Sequence, residues 1–417
     1  MANATLSNTQ KVGWVSGPDG RGTMDIIWLC LLALFASTWT AMHINVPHEE
    51  ESFWVVSLRK LRWATWAVFA PEHVTLLAAL QRQSARASRD KMRELGVGHW
   101  TIAHGFFADS GGFLLCAPDS PRFPINSRAL HYLVSKSYLE TPTVEEREIM
   151  DRSKKDRLGK ILTATQGGYL FVSSIARAVQ SLEITCLETI TLAILFCTTI
   201  SYFFWLKKPF DVEVPIRLES KVSISQILRE AGPVASGVYS DSPLDFVEQL
   251  GWRTWRRRPI FKHFGGLSQR PVRRIPNDYV VEPNFKVALF TLTVTVVHAA
   301  IHVTGWNLSF PTTTEQLLWH GASLCLLLDL FVWGIVEVLL LKPGLDFDMT
   351  LLGIWEKRSS KRGFWRSWGL DGPAILGSSL YFLSKLMLLV GAFTSLRLLP
   401  ESAYETVEWT KFLPNFS

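Results

Sequence analysis

His298 and His302 stand four residues apart in an apolar run, so a helix puts both imidazoles on one face. His320 opens the next apolar run at a similar depth, and His43 closes the first. Two imidazoles and a further donor can hold zinc, whose catalytic sites take three protein ligands and keep one position open. His298, His302 and His320 are therefore the candidate metal ligands, with zinc the candidate ion, although no H-E-x-x-H occurs. Histidines bonded to neighbouring hydroxyls or carbonyls, or histidines that handle protons, are the open alternatives.

A second group of ionisable residues lies near the middle of other apolar runs: Glu72 with His73, Asp329, and Lys385. Carrying such a side chain into hydrocarbon costs roughly 2.5–3.5 kcal/mol or more, so each is a functional candidate. In an apolar pocket a carboxyl holds its proton more tightly, which suits it to acid or base chemistry near neutral pH. Glu72, Asp329, Lys385 and His302 are the candidate catalytic residues, and depth alone predicts an Asp329–Lys385 pair. Arg177, Glu183 and Glu188 read as a connector ion pair at a helical hairpin.

Apolar stretches must position these groups. A helix needs roughly 20 apolar residues to cross a hydrocarbon core about 30 Å thick, and backbone groups in lipid must be paired internally. Spans are predicted at roughly 24–44, 62–81, 159–180, 185–206, 285–305, 316–341 and 376–398. The second is interrupted by Pro71, Glu72 and His73, for which a re-entrant or interfacial helix is the alternative. The fold expected is all-α: a polytopic transmembrane bundle of about seven spans, with no cleaved leader.

Lys and Arg near the span ends set orientation. They crowd the loops 82–158, 207–284 and 342–375, whereas Glu49–Glu50–Glu51 and 307–315 are poor in positive charge. Alternation then puts an N-terminal segment 1–23 and the three long basic loops in the cytoplasm. The chain divides into that segment, a first pair of spans (24–81), the loop 82–158, a hairpin 159–206, the loop 207–284, a hairpin 285–341, the loop 342–375, and 376–417 with the last span and an outer tail. Asn307-Leu308-Ser309 becomes a lumenal glycosylation sequon.

Composition agrees. The chain of 417 residues is 48% hydrophobic with 17 Trp, many flanking apolar runs, where indole prefers the bilayer interface. The mean hydropathy of +0.15 fits spans joined by substantial aqueous loops. A net charge of +6, concentrated in loops, speaks to orientation and to membrane lipids as partners rather than to nucleic acid. Five Cys without C-x-x-C spacing read as small hydrophobes.

In the loops, Thr143 with Glu146 and Ser223 with Gln226 are capping-box patterns, the first opening a charged helix towards the third span. Ser242-Pro243 reads as an N-cap and first helical residue. The stretch 252–264 interleaves Trp and Phe with Arg and Lys, an interfacial anchor on anionic lipid. His99 to Leu115 predicts a membrane-hugging helix ending at Gly111–Gly112, or a lid.

Several stretches together resemble a family of uncharacterised fungal multipass membrane proteins: Gly13 to Trp39, His104 to Phe113, Ile175-Ala176-Arg177, Lys208-Pro209, Arg274 to Asp278 and His302 to Trp319. The resemblance covers nearly the whole chain; it implies a fungal source and the multipass architecture, and supplies no activity. The chain has no Walker loop, Gly-rich dinucleotide fingerprint, G-x-S-x-G, Cys-ligated haem motif or Asp-rich prenyl motif, so no cofactor is evident. Three classes stay open. One is an enzyme acting on a lipophilic small molecule, a terpenoid or polyketide step in specialised metabolism. The others are a proton-coupled transporter or channel, and a receptor-like scaffold with protein partners unspecified.

Overall fold

The structure is a computed structural model, which describes residues 11–17, 20–153, 157–237, 239, 241–248, 270–279, 281, 283–340 and 364–412. In chain order its elements are β1 (Lys11–Val12), α1 (Thr23–Ala41), α2 (Phe53–Phe69), α3 (Pro71–Glu94), α4 (Ile102–Asp109), β2 (Phe113–Ala117), β3 (Ser120–Ile125), α5 (Ser127–Ser135), α6 (Glu146–Asp151), α7 (Arg157–Val179), α8 (Cys186–Phe204), β4 (Ile216–Glu219), α9 (Ile224–Ala231), α10 (Phe285–Thr304), α11 (Thr313–Leu340), α12 (Phe364–Ser395) and β5 (Leu399–Pro400). Five helical segments are long and apolar enough to cross a membrane: Thr23–Ala41, Cys186–Phe204, Phe285–Asn307, Thr313–Ile335 and Leu376–Ser395. They match five of the predicted spans. A sixth prediction, 159–180, falls on α7, which lies along α1 and turns Tyr169, Phe171, Val172 and Ile175 outwards.

The predicted span 62–81 is not one helix. Pro71 has no N–H to continue α2 and disfavours helical geometry in the residue before it. Ala70 accordingly leaves the helical region (φ −135°, ψ 61°) and α3 restarts at Pro71. Both outer ends of this α2–α3 hairpin lie at one end of the bundle. Lys60, in α2, pairs with Asp211 at 2.6 Å. Gln81, in α3, accepts from Trp205 Nε1 at 2.9 Å, just past α8. The hairpin enters the bundle and returns, as the re-entrant alternative expects.

That correction changes the parity of the chain. β1 pairs antiparallel with β5, Lys11 opposite Pro400. Tyr404 Oη donates to the Gly13 carbonyl at 2.9 Å. Arg177, 1% exposed, donates to the carbonyls of Glu183, Ser402, Ala403 and Glu405 at 2.8–3.1 Å. Arg177 is thus a clamp on the C-terminal tail rather than a connector ion pair; Glu188 pairs with Arg21 instead. The N-terminal segment therefore shares an end with the C-terminal tail, where the seven-span reading separates them. At the other end Glu49, Glu50 and Glu51 pair with Arg217, Arg273 and Arg274 at 2.9, 2.7 and 3.4 Å. The acidic connection therefore shares the end of the basic loop 207–284, which the alternation had placed opposite.

The all-α expectation also needs amending. The loops 82–158 and 207–284 fold together into a small α/β domain at the basic end. Its sheet has the order β3-β2-β4, with β2 antiparallel to β3 and parallel to β4. Trp100, Phe107, Phe113, Leu115, Phe123 and Leu130 fill its core. The β2 run FLLCA is buried on both faces and shows no alternation, so periodicity cannot distinguish it from a helix. α4 does stop at the glycines, Gly111 taking φ +83°, but it is buried in this domain instead of lying on lipid. Ser223 caps α9 through Gln226 N at 3.2 Å. Thr143 does not cap the next helix: α6 is a separate short helix that starts at Glu146 with no side-chain cap. Ser242-Pro243 leads into a short 3-10 turn, Asp245–Glu248, with Ser242 N donating to Asp245 at 2.9 Å, and the expected end at Leu250 lies outside the described residues. The stretch 252–264 and most of the loop 342–375 lie outside the described residues.

Candidate functional site

The break at Ala70–Pro71 lies deep in the bundle, beside the middle of α8, α10 and α12. Glu72, in the first turn of α3, is placed there by the break and is favoured by the helix dipole. Its Oε2 stands 3.2 Å from His298 Nε2 and 3.5 Å from Lys385 Nζ. Lys385 Nζ is 2.6 Å from His298 Nε2. Tyr381, one turn before Lys385, donates its hydroxyl to Glu72 Oε1 and lies 3.0 Å from the Phe69 carbonyl, an acceptor that the end of α2 leaves free. All four side chains are buried, Glu72 and His298 almost completely.

One of these hydrogen bonds fixes a proton. His298 Nδ1 lies 3.0 Å from the Ala193 carbonyl, which can only accept, so that nitrogen carries the hydrogen. Nε2 then faces both Lys385 Nζ and Glu72 Oε2, so the three groups meet in one short triangle. Glu72, Lys385, His298 and Tyr381 thus satisfy one another away from water, the condition under which polar groups persist in an apolar interior.

His302 packs edge-on against His298, ring centroids 5.0 Å apart. It is 2% exposed, and neither of its ring nitrogens has a hydrogen-bond partner among the described residues. It lines a cavity of about 20 Å3 together with Lys385, Leu388, Leu389 and Ile190. On the other side of the cluster, a cavity of about 10 Å3 is lined by Glu72, His73, Asp329, Trp333, Ser378 and Tyr381. Along α12 the first cavity lies towards the end holding the chain termini and the second towards the basic end. A water needs roughly 10–15 Å3 of such space, so each cavity is about the size of a single water.

Glu72, Lys385 and His302 of the expected catalytic set therefore meet, with His298 between them. Asp329 faces the second cavity and accepts from Trp333 Nε1 at 3.1 Å; it does not pair with Lys385, which Glu72 and His298 occupy. The zinc triad does not assemble. His298 uses both nitrogens, and His320 stacks on Trp306 at 3.8 Å with Nε2 2.7 Å from its carbonyl. No group of three or more His, Cys, Asp or Glu able to hold a metal occurs among the described residues. Tyr381 was missed: its signal is a polar-tipped ring four residues before a lysine in an apolar run. Asn307 is exposed at the end that holds the termini.

Sequence inspection also passed over a polar knot at the basic end. Lys208 Nζ donates to the His43 carbonyl (2.8 Å), Asn45 Oδ1 (3.0 Å) and Gln81 Oε1 (3.0 Å). Burial pulls its ammonium down to about 7, opposed by the charge of Asp109. Asn45 in turn donates its backbone N–H to Asn277 Oδ1 at 2.9 Å, tying the segment after α1 to the segment before α10. His43 therefore belongs to this knot and not to the His298 group.

Fold and site together define a multi-helix bundle with five helices long and apolar enough to cross a membrane and a buried cluster of ionisable groups at a broken helix. A model of a family of unknown function (DUF8562) matches residues 1–232 and 285–416, most of the chain, and the chain belongs to that family. Comparison with curated proteins and with solved structures returns no match.

Proposed function

We propose that this chain is a proton-translocating membrane protein in which Asp329, Glu72, Lys385, His298 and His302 relay protons between the two ends of the bundle. The observation that carries the reading is the order of the groups: a water-sized cavity, the Glu72–Lys385–His298 contact, and a second water-sized cavity under the unpartnered His302. A proton arriving at Glu72 leaves Lys385 without its counter-charge and favours transfer from Lys385, held against His298 Nε2, to a water in the cavity that Lys385 and His302 both line. His302 takes it onwards from that water, and the proton on Glu72 passes to Lys385 and restores the pair. An enzyme using the buried cluster on a terpenoid or polyketide is supported less well, because the cavities beside that cluster are about 20 and 10 Å3 whereas a small-molecule site occupies roughly 300–1,000 Å3.

The proposed membrane frame has α1, α7, α8, α10, α11 and α12 crossing, with α2–α3 re-entrant. An even number of crossings agrees with the β1–β5 pairing, and re-entrant backbone is tolerated where protein covers it. The basic end is cytoplasmic by its Lys and Arg, which puts both termini and Asn307 on the opposite side.

The test is voltage-driven proton uptake by proteoliposomes, read with an entrapped pH dye. Wild type acidifies the lumen faster than empty vesicles, Glu72→Gln abolishes the excess, and His302→Phe slows it at unchanged protein content. Uptake by Glu72→Gln at the wild-type rate, or none by wild type, defeats the reading.

A further inference from the structure

A cleft of about 440 Å3 opens at the basic end, between the α1–α2 connection, the β2–β3 hairpin and the segment 270–274. Arg122, Arg270, Arg273 and Arg274 line it together with Glu49 and Glu50, and Pro47, Pro121, Pro215 and Pro271 stiffen its walls. The local charges do not balance. Glu49 is held by Arg217 and Glu50 by Arg273. Glu51 serves two guanidiniums at once, Arg274 in the cleft wall and Arg59 behind it. Arg59 is 8% exposed and keeps Nε and Nη1 without an acceptor among the described residues. Arg122 and Arg270, both exposed, have no carboxylate within ion-pair distance among the described residues. Six arginines thus face Glu49, Glu50 and Glu51 across and behind one cleft, with Asp278 adding a fourth negative charge near Arg274, which leaves the positive charges in excess.

The cleft also has a fixed relation to the apolar exterior. α2 begins three residues after Glu50, and its first turn exposes Phe53 (73%) and Trp54 (79%), aromatic residues of the kind that mark a bilayer interface. Arginine suits an anion with several oxygens, because its planar fork can donate two parallel bonds. We propose that this cleft binds a phosphate monoester, presented by the headgroup of an anionic membrane lipid. The phosphate lies between Arg122 and Arg270, and the excess positive charge behind Arg274 supplies the remaining attraction. The site is separate from the buried Glu72 cluster and does not depend on the relay.

The experiment titrates the full chain in dodecylmaltoside micelles with dioctanoyl phosphatidic acid, dioctanoyl phosphatidylcholine and glycerol 3-phosphate. Phosphatidic acid binds saturably, phosphatidylcholine does not, and Arg122→Gln/Arg270→Gln weakens binding while the melting temperature holds. Each basic group near an anionic surface contributes roughly five-fold, so the double variant loses roughly 25-fold. Glycerol 3-phosphate binding as tightly as the lipid supports the same phosphate site with a soluble source. No saturable binding of either phosphate, equal affinity in the double variant, or equal binding of phosphatidylcholine overturns the proposal.

Discussion

Removing Lys385 and Glu72 separately and together measures whether the buried cluster is one interacting unit. At the observed 3.5 Å, with an effective dielectric of about 20, the two charges attract by roughly 5 kcal/mol. Each charge costs roughly 3 kcal/mol to hold in the apolar interior. Lys385→Met loses the attraction and relieves one burial cost, for a net loss of about 2 kcal/mol; Glu72→Gln does the same. The double variant loses the attraction once and relieves both costs, ending within about 1 kcal/mol of wild type. The cycle therefore returns a coupling of several kcal/mol, measured by reversible unfolding in mixed detergent–SDS micelles. Single effects that simply add, to within about 0.5 kcal/mol, refute the reasoning, because independent sites behave that way.

Other predictions are simpler. Tags at the N- and C-termini report the same side of the membrane in a protease-protection assay; opposite sides would restore an odd number of crossings. Lys208, buried and held down to about 7, binds its proton less tightly folded than unfolded. Stability at this knot therefore rises as pH climbs from about 7 towards the ordinary lysine range, and Lys208→Met flattens that part of the melting profile. Gly105 brings α4 against α3 so closely that an added Cβ would stand 2.6 Å from the Ala85 carbonyl oxygen. Gly105→Ala costs about 1–3 kcal/mol through overpacking, seen as a lower melting temperature.

By itself the sequence determined the parts that depend on local run length and solvent preference. Five apolar stretches become membrane-length helices because hydropathy over about 20 residues is sufficient to specify them. It also flagged Glu72, Lys385 and His302, since an ionisable group in such a run is conspicuous wherever it ends up. Ser223 was legible for the same reason, its cap being satisfied within three residues. Tertiary structure decided the rest. Whether Pro71 merely kinks a span or reverses the chain depends on what receives the freed groups, and Tyr381, 310 residues later, is part of the answer at Phe69 and Asp211 anchors Lys60. The partner of Lys385 was misassigned to Asp329 because depth along a helix fixes height but not azimuth, which packing alone sets. The β2–β4 pairing and the β1–β5 pairing join residues about 100 and nearly 400 apart, so no local pattern encodes them. That last pairing brings the N-terminal segment to the same end of the bundle as the C-terminal tail, where charge counting alone had placed them at opposite ends.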